Sequence, residues 1–400
     1  MPQFKTIEEA DVAGQRVLVR ADLNVPTKNG TVTDITRLER LVPTIAALTA
    51  KGARVVILSH FDRPKGHRVP EMSLKPVAET LAKIMGAKVA FATDCIGPDA
   101  SSVVAHLNNG DIAVLENLRF HKGEESNDPA FVKKLAALGD IYVNDAFSAS
   151  HRAHASTEGL AHVLPAFAGL QMQAELNALS AALENPKKPV MAIVGGSKVS
   201  TKLELLSNLV SRVNILVIGG GMANTFLHAQ GVDVGNSLCE RDLVETAREV
   251  LAKALAVGCQ IMLPQDVVIA DALKPGAASA VVGIDQIPLR QMIVDIGPAS
   301  TQTIENEMAL CQTLLWNGPV GAFETKPFDE ATLRLAHAAA ALTKKGALVS
   351  IAGGGDTVAA LNAAGVTDDF TYVSMAGGAF LEWIEGKELP GVAALAAKAV

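Results

Sequence analysis

Four arginines stand in or just after loops that follow predicted strands in the first part of the chain, and their side chains suit an anion. The planar guanidinium group donates two parallel hydrogen bonds to a phosphate or a carboxylate. One such arginine alone is typical of a solvated surface charge. Several at one sheet edge repel one another unless an anion neutralises them. The set is Arg37, Arg63, Arg119 and Arg152.

The same loops carry other polar side chains. Asp22 and Asn24 follow the run RVLVR and are suited to hydrogen bonding with substrate hydroxyls. His151 and His154 follow the run IYVN and could be a metal pair, but no HExxH or flanking carboxylate pattern accompanies them. The first part of the chain therefore predicts a site for a small, multiply charged anion, with a histidine metal pair as the alternative.

Glycine-rich loops replace the arginines in the second part of the chain. Glycine after a strand and before a helix lets the backbone approach a phosphate, which then meets the N–H groups of the helix N-terminus. One glycine pair is typical of a tight turn, whereas four such loops favour a nucleotide. No GxxxxGK[ST] motif is present. The loops are residues 195–202, 219–224, 317–324 and 353–357.

Charged residues in these loops have separate predicted tasks. Lys198 and Lys202 are four apart, which predicts that they share one face in the first turns of a helix and reach the terminal phosphates, unless both are merely solvated. Asp356 follows three glycines and suits a magnesium ion held on phosphate oxygens, or alternatively a helix N-cap. Glu324 could accept hydrogen bonds from ribose hydroxyls.

Short apolar runs alternate with amphipathic helical segments along the chain, which predicts an α/β fold with parallel sheets covered on both faces. The pattern starts again after a helical stretch, so we expect two doubly wound, Rossmann-like lobes joined by a helical hinge; the alternative is one domain with an ordinary crossover helix. In open parallel sheets, ligands bind beyond the carboxyl ends of the strands. The predicted boundaries are 1–170 for the anion lobe, 171–185 for the connecting helix and 186–385 for the nucleotide lobe.

Composition excludes several classes of protein. The chain has 400 residues, of which 49% are apolar, and this is enough to form cores and excludes a disordered or fibrous protein. A net charge of −7 with 4% aromatic residues argues against nucleic-acid binding. No apolar stretch is long enough to cross a membrane, and the N-terminus lacks a signal-peptide pattern. The four cysteines form no CxxC pair, which excludes a finger-type zinc site and fits the cytoplasm.

An anion lobe and a nucleotide lobe together predict group transfer between them. Phosphoryl transfer needs alignment, charge stabilisation and exclusion of water, and an acceptor carboxylate needs no general base because it is already ionised. Closure of the lobes would exclude water. Two alternatives remain at this stage. A nicotinamide dehydrogenase is disfavoured because Asn224 replaces the third glycine of GxGxxG, and a non-catalytic binding protein would leave the glycine loops without a task.

Nine long motifs, in one order along nearly the whole chain, resemble those of the phosphoglycerate kinase family. The resemblance implies reversible phosphoryl transfer between 1,3-bisphosphoglycerate and ADP, giving 3-phosphoglycerate and ATP, with Mg²⁺ bound with the nucleotide. It also implies a monomeric glycolytic enzyme whose segment 386–400 packs back on the first lobe. The motifs are VRADLNVP, SHFDRPKG, ENLRFHKGEESND, VNDAFSASHRAHAST, GGSKVSTK, GGGMANTFL, LWNGPVGAFE, GGGDT and EGKELPGV.

The resemblance also implies roles for individual residues. Arg37, Lys198 and Lys202 would be catalytic, with Arg37 stabilising charge on the transferring group and Asp356 binding the magnesium. The implied phosphoglycerate-binding residues are Asp22, Leu23, Asn24, Arg37, His60, Phe61, Asp62, Arg63, Arg119 and Arg152. The implied nucleotide-binding residues are Gly196, Lys202, Gly220, Gly221, Asn317, Gly318, Pro319, Glu324, Gly354, Gly355, Asp356 and Thr357.

Two positions depart from the family pattern. Family members commonly have glycine where this chain has Asp62, whose carboxylate could either repel the substrate or pair with Arg63 and hold it. The usual STGGG near the C-terminus reads SMAGG here, so that Met375 and Ala376 replace a threonine and a glycine.

Overall fold

The computed structural model describes residues 4–396 and divides into two compact units. The first unit comprises the described residues up to Leu176 together with those from Glu388 onward, and the second is Asn177–Lys387. The division therefore falls inside the predicted connecting segment 171–185. Residues 1–3 of the predicted first lobe and residues 397–400 of the predicted returning segment lie outside the described residues.

The first unit is built on short apolar strands followed by helices. The strands are β1 (Arg16–Arg20), β2 (Thr27–Lys28), β3 (Thr31–Val32), β4 (Arg54–Leu58), β5 (Val89–Ala92), β6 (Ile112–Leu115), β7 (Ile141–Asn144) and β8 (Ala166–Ala168). The helices are α1 (Thr36–Ala50), α2 (Lys75–Met85), α3 (Gly97–Ala105), α4 (Lys122–Glu125), α5 (Pro129–Ala136) and α6 (Leu160–Val163). Helix α7 (Leu170–Leu179) begins in the first unit, and the division falls within it; a π-helical turn over Ser180–Glu184 follows.

In the described part of this unit, six strands form a parallel sheet in the order β5-β6-β4-β1-β7-β8, and β2 and β3 form a separate hairpin. Both faces of the central strands are buried. Val17 and Val19 pack in a core with Leu38 and Leu41 of α1, while Leu18, on the opposite face of β1, is also fully buried. Continuous burial on both faces is the reason that parallel strands are apolar at every position.

The second unit repeats this arrangement. Its strands are β9 (Val190–Val194), β10 (Ile215–Ile218), β11 (Gln260–Met262), β12 (Asp266–Ala270), β13 (Ser279–Gly283), β14 (Met292–Ile296), β15 (Thr313–Asn317), β16 (Val349–Gly353) and β17 (Tyr372–Ser374). Its helices are α8 (Leu203–Leu209), α9 (Gly221–Ala229), α10 (Val244–Val257), α11 (Pro298–Leu310), α12 (Glu330–Lys344), α13 (Gly355–Ala364) and α14 (Gly378–Ile384).

Six of these strands form a parallel sheet in the order β11-β10-β9-β15-β16-β17, counted over the described residues. The fold class predicted from the sequence, two parallel-sheet α/β domains, is confirmed. The runs RVLVR and IYVN form strands β1 and β7 over the same residues. The sequence analysis missed a small antiparallel sheet in the order β13-β12-β14, which contributes one wall of the cleft described below.

The segment after Lys387 belongs to the first unit. It contains helix α15 (Pro390–Ala393), and Gly391 N donates to Ser150 O at 2.8 Å. At the other end of the described chain, Phe4 forms an antiparallel bridge with Ala396. None of the helices within residues 4–396 has the length and apolar character that spanning a membrane requires.

Candidate functional site

The loops that carry the predicted anion-binding residues begin at one edge of the first sheet. Arg20, the last residue of β1, pairs in register with Leu58 at the end of β4 and with Asn144 at the end of β7. Because all of these strands are parallel, the loops that follow them start side by side. The sheet thus brings the predicted residues of separate sequence motifs to a common edge.

Arg37 lies in the first turn of α1, and two groups from the loop after β1 fix its guanidinium group. Its Nη1 donates to Asp22 Oδ2 at 2.8 Å and to the Asn24 carbonyl oxygen at 2.9 Å. Ser148 Oγ donates to the same Asp22 oxygen. Asp22 and Asn24 therefore hold Arg37 in position.

The backbone of Asp62 links two other predicted residues. Its N–H donates to Asn24 Oδ1 at 3.0 Å, and its carbonyl oxygen accepts from Arg119 Nη1 at 2.8 Å. The residue has a φ of +52°, in the left-handed region that favours glycine. The carboxylate side chain is exposed, and the neighbouring Arg63 is exposed as well.

Leu23 and Phe61 contribute their backbone to this edge of the sheet. Both side chains are buried in the core of the first unit, with Leu23 0% and Phe61 6% exposed. Leu23 N donates to Ser59 Oγ at 2.9 Å, and Asn117 clamps Phe61 by accepting from its N–H and donating to its carbonyl oxygen. The buried side chains of Leu23 and Phe61 therefore anchor the loops after β1 and β4 to the core of the first unit.

Arg20 is a charged residue that the sequence analysis did not select. Its side chain is 1% exposed, its Nε donates to Ser156 Oγ at 2.8 Å, and its Nη2 lies 2.9 Å from His60 Nδ1. Ser156 Oγ in turn donates to the fully buried carboxylate of Glu124 at 2.6 Å. Burial raises the pKa of Glu124, while the Arg20 charge lowers it in opposition.

Positive charges converge on two histidines at this edge. Burial, followed by the charges of Arg20, Arg119 and Arg152, lowers the pKa of His60 well below its ordinary value. Burial, followed by the same three arginines, lowers the pKa of His154 to about 4. Both imidazoles are therefore neutral at pH 7. The positive charges of Arg119, Arg20 and Arg152 around His154 disfavour a metal cation at His151 and His154 and favour an anion.

The buried side chain of Arg119 lies near other arginines, and one of its N–H groups has no hydrogen-bond acceptor. Its side chain is 4% exposed, and its Nε is buried without a hydrogen bond although Glu125 Oε1 lies 3.4 Å away. Desolvation lowers the pKa of Arg119, the charge of Glu125 raises it in opposition, and the charges of Arg152 and Arg20 lower it further. A buried guanidinium N–H without a hydrogen-bond acceptor is rare in folded proteins and marks a place for a ligand oxygen.

A cleft of about 310 Å³ lies in the second unit, against the glycine-rich loops. Apolar residues of β14 and its neighbours form much of its wall, as an aromatic base requires. Of the predicted nucleotide-binding residues, the cleft is lined by Gly196, Gly220, Gly221, Pro319, Glu324 and Asp356. Both charged members of this group, Glu324 and Asp356, are exposed.

Glycine is required in these loops because their backbones touch. A Cβ at Gly195 would lie 1.7 Å from the Pro319 carbonyl oxygen, and a Cβ at Gly220 would lie 2.6 Å from the Gly196 carbonyl oxygen. Gly220 also has a φ of +66°. The loops after β9, β10 and β15 are therefore packed on one another, and they form a continuous backbone surface beside the cleft.

Lys202 lies beneath these loops, with its ammonium group held by the protein. Its Nζ donates to Gly195 O at 2.6 Å, to Asn317 Oδ1 at 2.7 Å and to Asn317 O at 3.2 Å. Burial lowers the pKa of Lys202 to about 8, although the charges of Asp356 and Glu385 raise it in opposition. Neutral carbonyl acceptors stabilise this ammonium only in part, and phosphate oxygens would do so more strongly.

The predicted placement of the two lysines on one helix face is wrong. Helix α8 begins at Leu203, with Lys202 as its flanking residue, so Lys198 lies in the preceding loop and is exposed. The glycines and Ser200 keep this stretch non-helical, and Ser200 Oγ and N bind the Glu240 carboxylate instead. The two lysines therefore lie in different environments: Lys198 is exposed, and Lys202 is largely buried.

The alternative of Asp356 as a helix N-cap is also wrong. Gly354, with a φ of +99°, precedes α13, and Asp356 lies inside the first turn with an exposed side chain. Thr357 Oγ1 accepts from Gly318 N at 2.7 Å, and Asn317 Nδ2 donates to Gly353 O at 2.9 Å, which ties this turn to the β15 loop. One exposed carboxylate at the cleft fits a Mg²⁺ that keeps water and phosphate oxygens as its other ligands.

Asn224 is a cleft residue whose role the sequence analysis missed. It is 2% exposed and lines the cleft, its Nδ2 donates to Leu238 O at 3.0 Å, and its Oδ1 is buried without a hydrogen bond. The only available signal was its position within GGGMAN. Like Arg119 in the first unit, it leaves a buried polar atom without a partner in the wall of a candidate binding site.

Comparison with known proteins identifies the family of the chain. The family described as phosphoglycerate kinase matches residues 7–387. A phosphoglycerate kinase of Sinorhizobium fredii is 63% identical over 97% of this chain and 98% of its own length. A solved structure of the phosphoglycerate kinase from Coxiella burnetii has a TM-score of 0.92 at 44% identity, and a crystal structure of the enzyme from Pyrococcus horikoshii has 0.80 at 28%, each covering 98% of both chains.

The chain belongs to the phosphoglycerate kinase family. It is accordingly a phosphotransferase, and the alternatives of a nicotinamide dehydrogenase and a non-catalytic binding protein are excluded. The two departures from the family pattern lie at well-defined places. Asp62 occupies a left-handed backbone position, and Ala376 is buried just before α14, where its N–H donates to Ser374 Oγ at 3.2 Å. The side chain of Met375, the residue before Ala376, is half-buried.

Proposed function

We propose that the chain catalyses the Mg²⁺-dependent, reversible transfer of a phosphoryl group between 1,3-bisphosphoglycerate and ADP, giving 3-phosphoglycerate and ATP. Relatives that are 61–63% identical over nearly their whole length carry the name of this activity. The observation that carries the proposal is Arg119, a buried guanidinium group with an unused N–H and two arginine neighbours. A phosphate and a carboxylate on one small molecule would supply the missing negative charge.

The first unit would bind the phosphoglycerate. Arg63, Arg119 and Arg152 would neutralise its phosphate, and Asp22 and Asn24 would accept or donate hydrogen bonds at its hydroxyl. His60 and His154, neutral at pH 7, are able to accept one hydrogen bond and donate another without adding charge. Leu23, Phe61 and the Asp62 backbone would hold these groups in place through the packing and hydrogen bonds described above.

The second unit would bind the nucleotide. Gly196, Gly220, Gly221 and Pro319 would contact the base and sugar, with Glu324 at the ribose hydroxyls. Asn317, Gly318, Gly354, Gly355 and Thr357 would shape the phosphate-binding turn, whose backbone N–H groups point along α13. Asp356 would hold the Mg²⁺, which when bound stabilises negative charge on the phosphate oxygens.

Catalysis would rest on charge and positioning. The acceptor carboxylate attacks without a general base, since it is ionised at neutral pH. Arg37, already fixed by Asp22 and Asn24, would stabilise charge on the transferring group without reorganisation. Lys202 would donate to ATP phosphate oxygens in place of its carbonyl acceptors, and the exposed Lys198 would reach the transferring phosphoryl. The proposal includes direct in-line transfer with closure of the two units about residues 171–185, because water must be excluded.

We further propose a monomer in the cytoplasm that acts on small molecules rather than on nucleic acid or membranes. Four free cysteines, three of them buried, suit a reducing compartment. The net charge of −7 disfavours binding to polyanions.

The deciding experiment is an assay of ADP formation from ATP, run with and without 3-phosphoglycerate and with and without Mg²⁺. We expect turnover only when both are present. Calorimetry with ATP and with 3-phosphoglycerate separately should show one site for each. ADP formation that is independent of 3-phosphoglycerate, or the absence of ATP binding, would contradict the proposal.

The Asp62 side chain tests whether charge at the site edge affects substrate binding. We expect Asp62→Asn to lower the KM for 3-phosphoglycerate about threefold, because a carboxylate a few ångströms from the substrate repels it by about 0.7 kcal/mol in a solvated setting. Asp62→Gly should do the same and also relax the backbone at φ +52°. A lower KM in the glycine variant alone would assign the effect to the backbone, and a higher KM in both would show that Asp62 aids binding by holding Arg63.

The His154 ring reports on the anion directly. Bound 3-phosphoglycerate should raise the pKa of His154 from about 4 by about one unit, since a nearby anion favours the imidazolium form. In the free protein the folded-state pKa is depressed, so stability should fall as pH drops from about 6.5 towards 4. NMR titration of the ring protons, assigned with His154→Gln, gives the measurement. An unchanged titration with saturating ligand would place the anion elsewhere.

A further inference from the structure

Three residues with metal-binding side chains lie together in the first unit, outside the residues assigned to catalysis. Asp94 and Cys95 come shortly after β5, and His121 follows the loop after β6. One potential ligand atom from each residue lies within 4.8 Å of the other two. Because β5 and β6 are parallel neighbours, their carboxyl ends bring the three side chains to one place.

Part of the required geometry is already formed. His121 Nε2 lies 2.7 Å from Asp94 Oδ1, and the His121 ring packs against Phe131 with a centroid distance of 5.4 Å. Tetrahedral Zn²⁺ holds nitrogen and oxygen ligands about 3.3 Å apart and a thiolate about 3.5 Å from either. The histidine and aspartate would separate by about 0.6 Å, and the thiol, which lies within 4.8 Å of both, would approach by at most about 1.3 Å.

The charges around Cys95 favour a cation. The carboxylates of Asp94, Glu124 and Glu116 place negative charge around the Cys95 side chain. This negative potential attracts a divalent ion, which would take the place of the thiol proton. The opposing cation is Arg68, whose Nη2 lies 4.0 Å from the other Asp94 oxygen, Oδ2, and donates to Thr93 O.

Access to the cluster is open on one side. The side chains of Asp94 and His121 are 33% and 30% exposed, whereas Cys95 is fully buried behind them. An ion can therefore reach the carboxylate and imidazole first and then the thiol. Water can fill a fourth position on the exposed side, as in zinc sites with three protein ligands.

We propose that Asp94, Cys95 and His121 bind one thiophilic divalent cation, for which Zn²⁺ is the best match. The set of one sulfur, one nitrogen and one oxygen ligand is unsuited to Mg²⁺, which requires oxygen ligands. On binding, Cys95 releases its thiol proton to solvent and His121 coordinates through Nε2 as the neutral imidazole. The site is separate from the nucleotide Mg²⁺ and ties the loop after β5 to the loop that carries Arg119.

The test uses Co²⁺, whose thiolate complexes absorb in the near ultraviolet and whose tetrahedral complexes absorb strongly in the visible. Titration of the full chain should give one equivalent of bound Co²⁺ with both absorptions, and Zn²⁺ should displace it while excess Mg²⁺ should not. Cys95→Ser should remove the thiolate band. His121→Asn and Asp94→Asn, at partly exposed positions, should each weaken Co²⁺ binding about tenfold or more.

Matched controls come from the same chain. Cys239→Ser changes the half-buried cysteine of the other unit, and His162→Asn changes a histidine that also pairs with a carboxylate, that of Glu158. Both should keep the band and the affinity of the unmodified protein. Absence of a thiolate band in the unmodified protein, its survival in Cys95→Ser, or its loss in Cys239→Ser would overturn the proposal. If Cys95→Ser does not fold, unchanged affinity in His121→Asn and Asp94→Asn would overturn it equally.

Discussion

Arg37→Ala is expected to lower kcat for phosphorylation of 3-phosphoglycerate by about a thousandfold or more, which is the size of the effect of an arginine that stabilises a transferring phosphoryl group. The KM for ATP should change little, because Arg37 belongs to the unit proposed to bind the other substrate. The physical reason is preorganisation. Asp22 and the Asn24 carbonyl already fix the guanidinium group at 2.8 and 2.9 Å, so stabilising new charge requires no rearrangement.

Steady-state kinetics with both substrates varied provides the measurement. Arg37→Lys should recover only a small part of the activity, since an ammonium group keeps the charge but loses the planar fork. Arg40→Ala, one turn further along α1, is the matched control and should retain nearly full activity. Near-normal turnover in Arg37→Ala would remove this residue from catalysis.

Lys202→Met is expected to lower kcat/KM for ATP by about a hundredfold to a thousandfold, comparable to the loss of one preorganised electrostatic donor. Methionine keeps most of the volume of the lysine stem, so that packing beneath the loops is retained. The variant also leaves Gly195 O and Asn317 Oδ1 without their donor, and we expect a loss of stability of about 1–3 kcal/mol.

Isothermal binding of ATP, alongside kinetics and thermal melting, separates these two effects. Lys345→Met, an exposed lysine at the end of α12, is the control and should change neither binding nor stability. ATP binding and turnover that are unaffected in a folded Lys202→Met variant would show that its ammonium group serves the loop structure alone.

The alternation of strands and helices made the two parallel sheets predictable from the sequence. Runs such as VMAIV and IAVL are apolar at every position, and burial on both faces is what requires this. The antiparallel sheet of the second unit was missed although β12, β13 and β14 contain the apolar runs VVIA, AVV and MIV, because no helical segment separates these runs and they do not fit the alternation of strands and helices. The edge strand β8 has three residues, too few to establish a pattern.

Most of the candidate site residues were selected because they lie in loops that directly follow predicted strands. Arg20 could not be recognised in this way because it lies within β1, where a terminal arginine resembles a solvated flank. Its burial depends on Ser156 and His60, which are distant in sequence. The hydrogen bonds of Lys202 to Gly195 and Asn317 were likewise invisible, because they depend on how three glycine loops pack.

Asp62 illustrates a different limit. Its departure from the family pattern was visible in the sequence, but the left-handed backbone and the link between Asn24 and Arg119 were not. Aspartate tolerates this conformation better than most residues. The fold therefore accommodates the replacement, and the Asn and Gly variants of Asp62 separate an effect of its carboxylate from an effect of its backbone.

The chain crosses from one unit to the other twice, between Leu176 and Asn177 and again between Lys387 and Glu388. A gene fragment that stops anywhere in the second unit omits the stretch whose Gly391 joins Ser150, and so encodes an incomplete first unit. On a ribosome, that unit can acquire its last piece only after the second unit has been synthesised. Premature termination within the second unit therefore leaves both units incomplete.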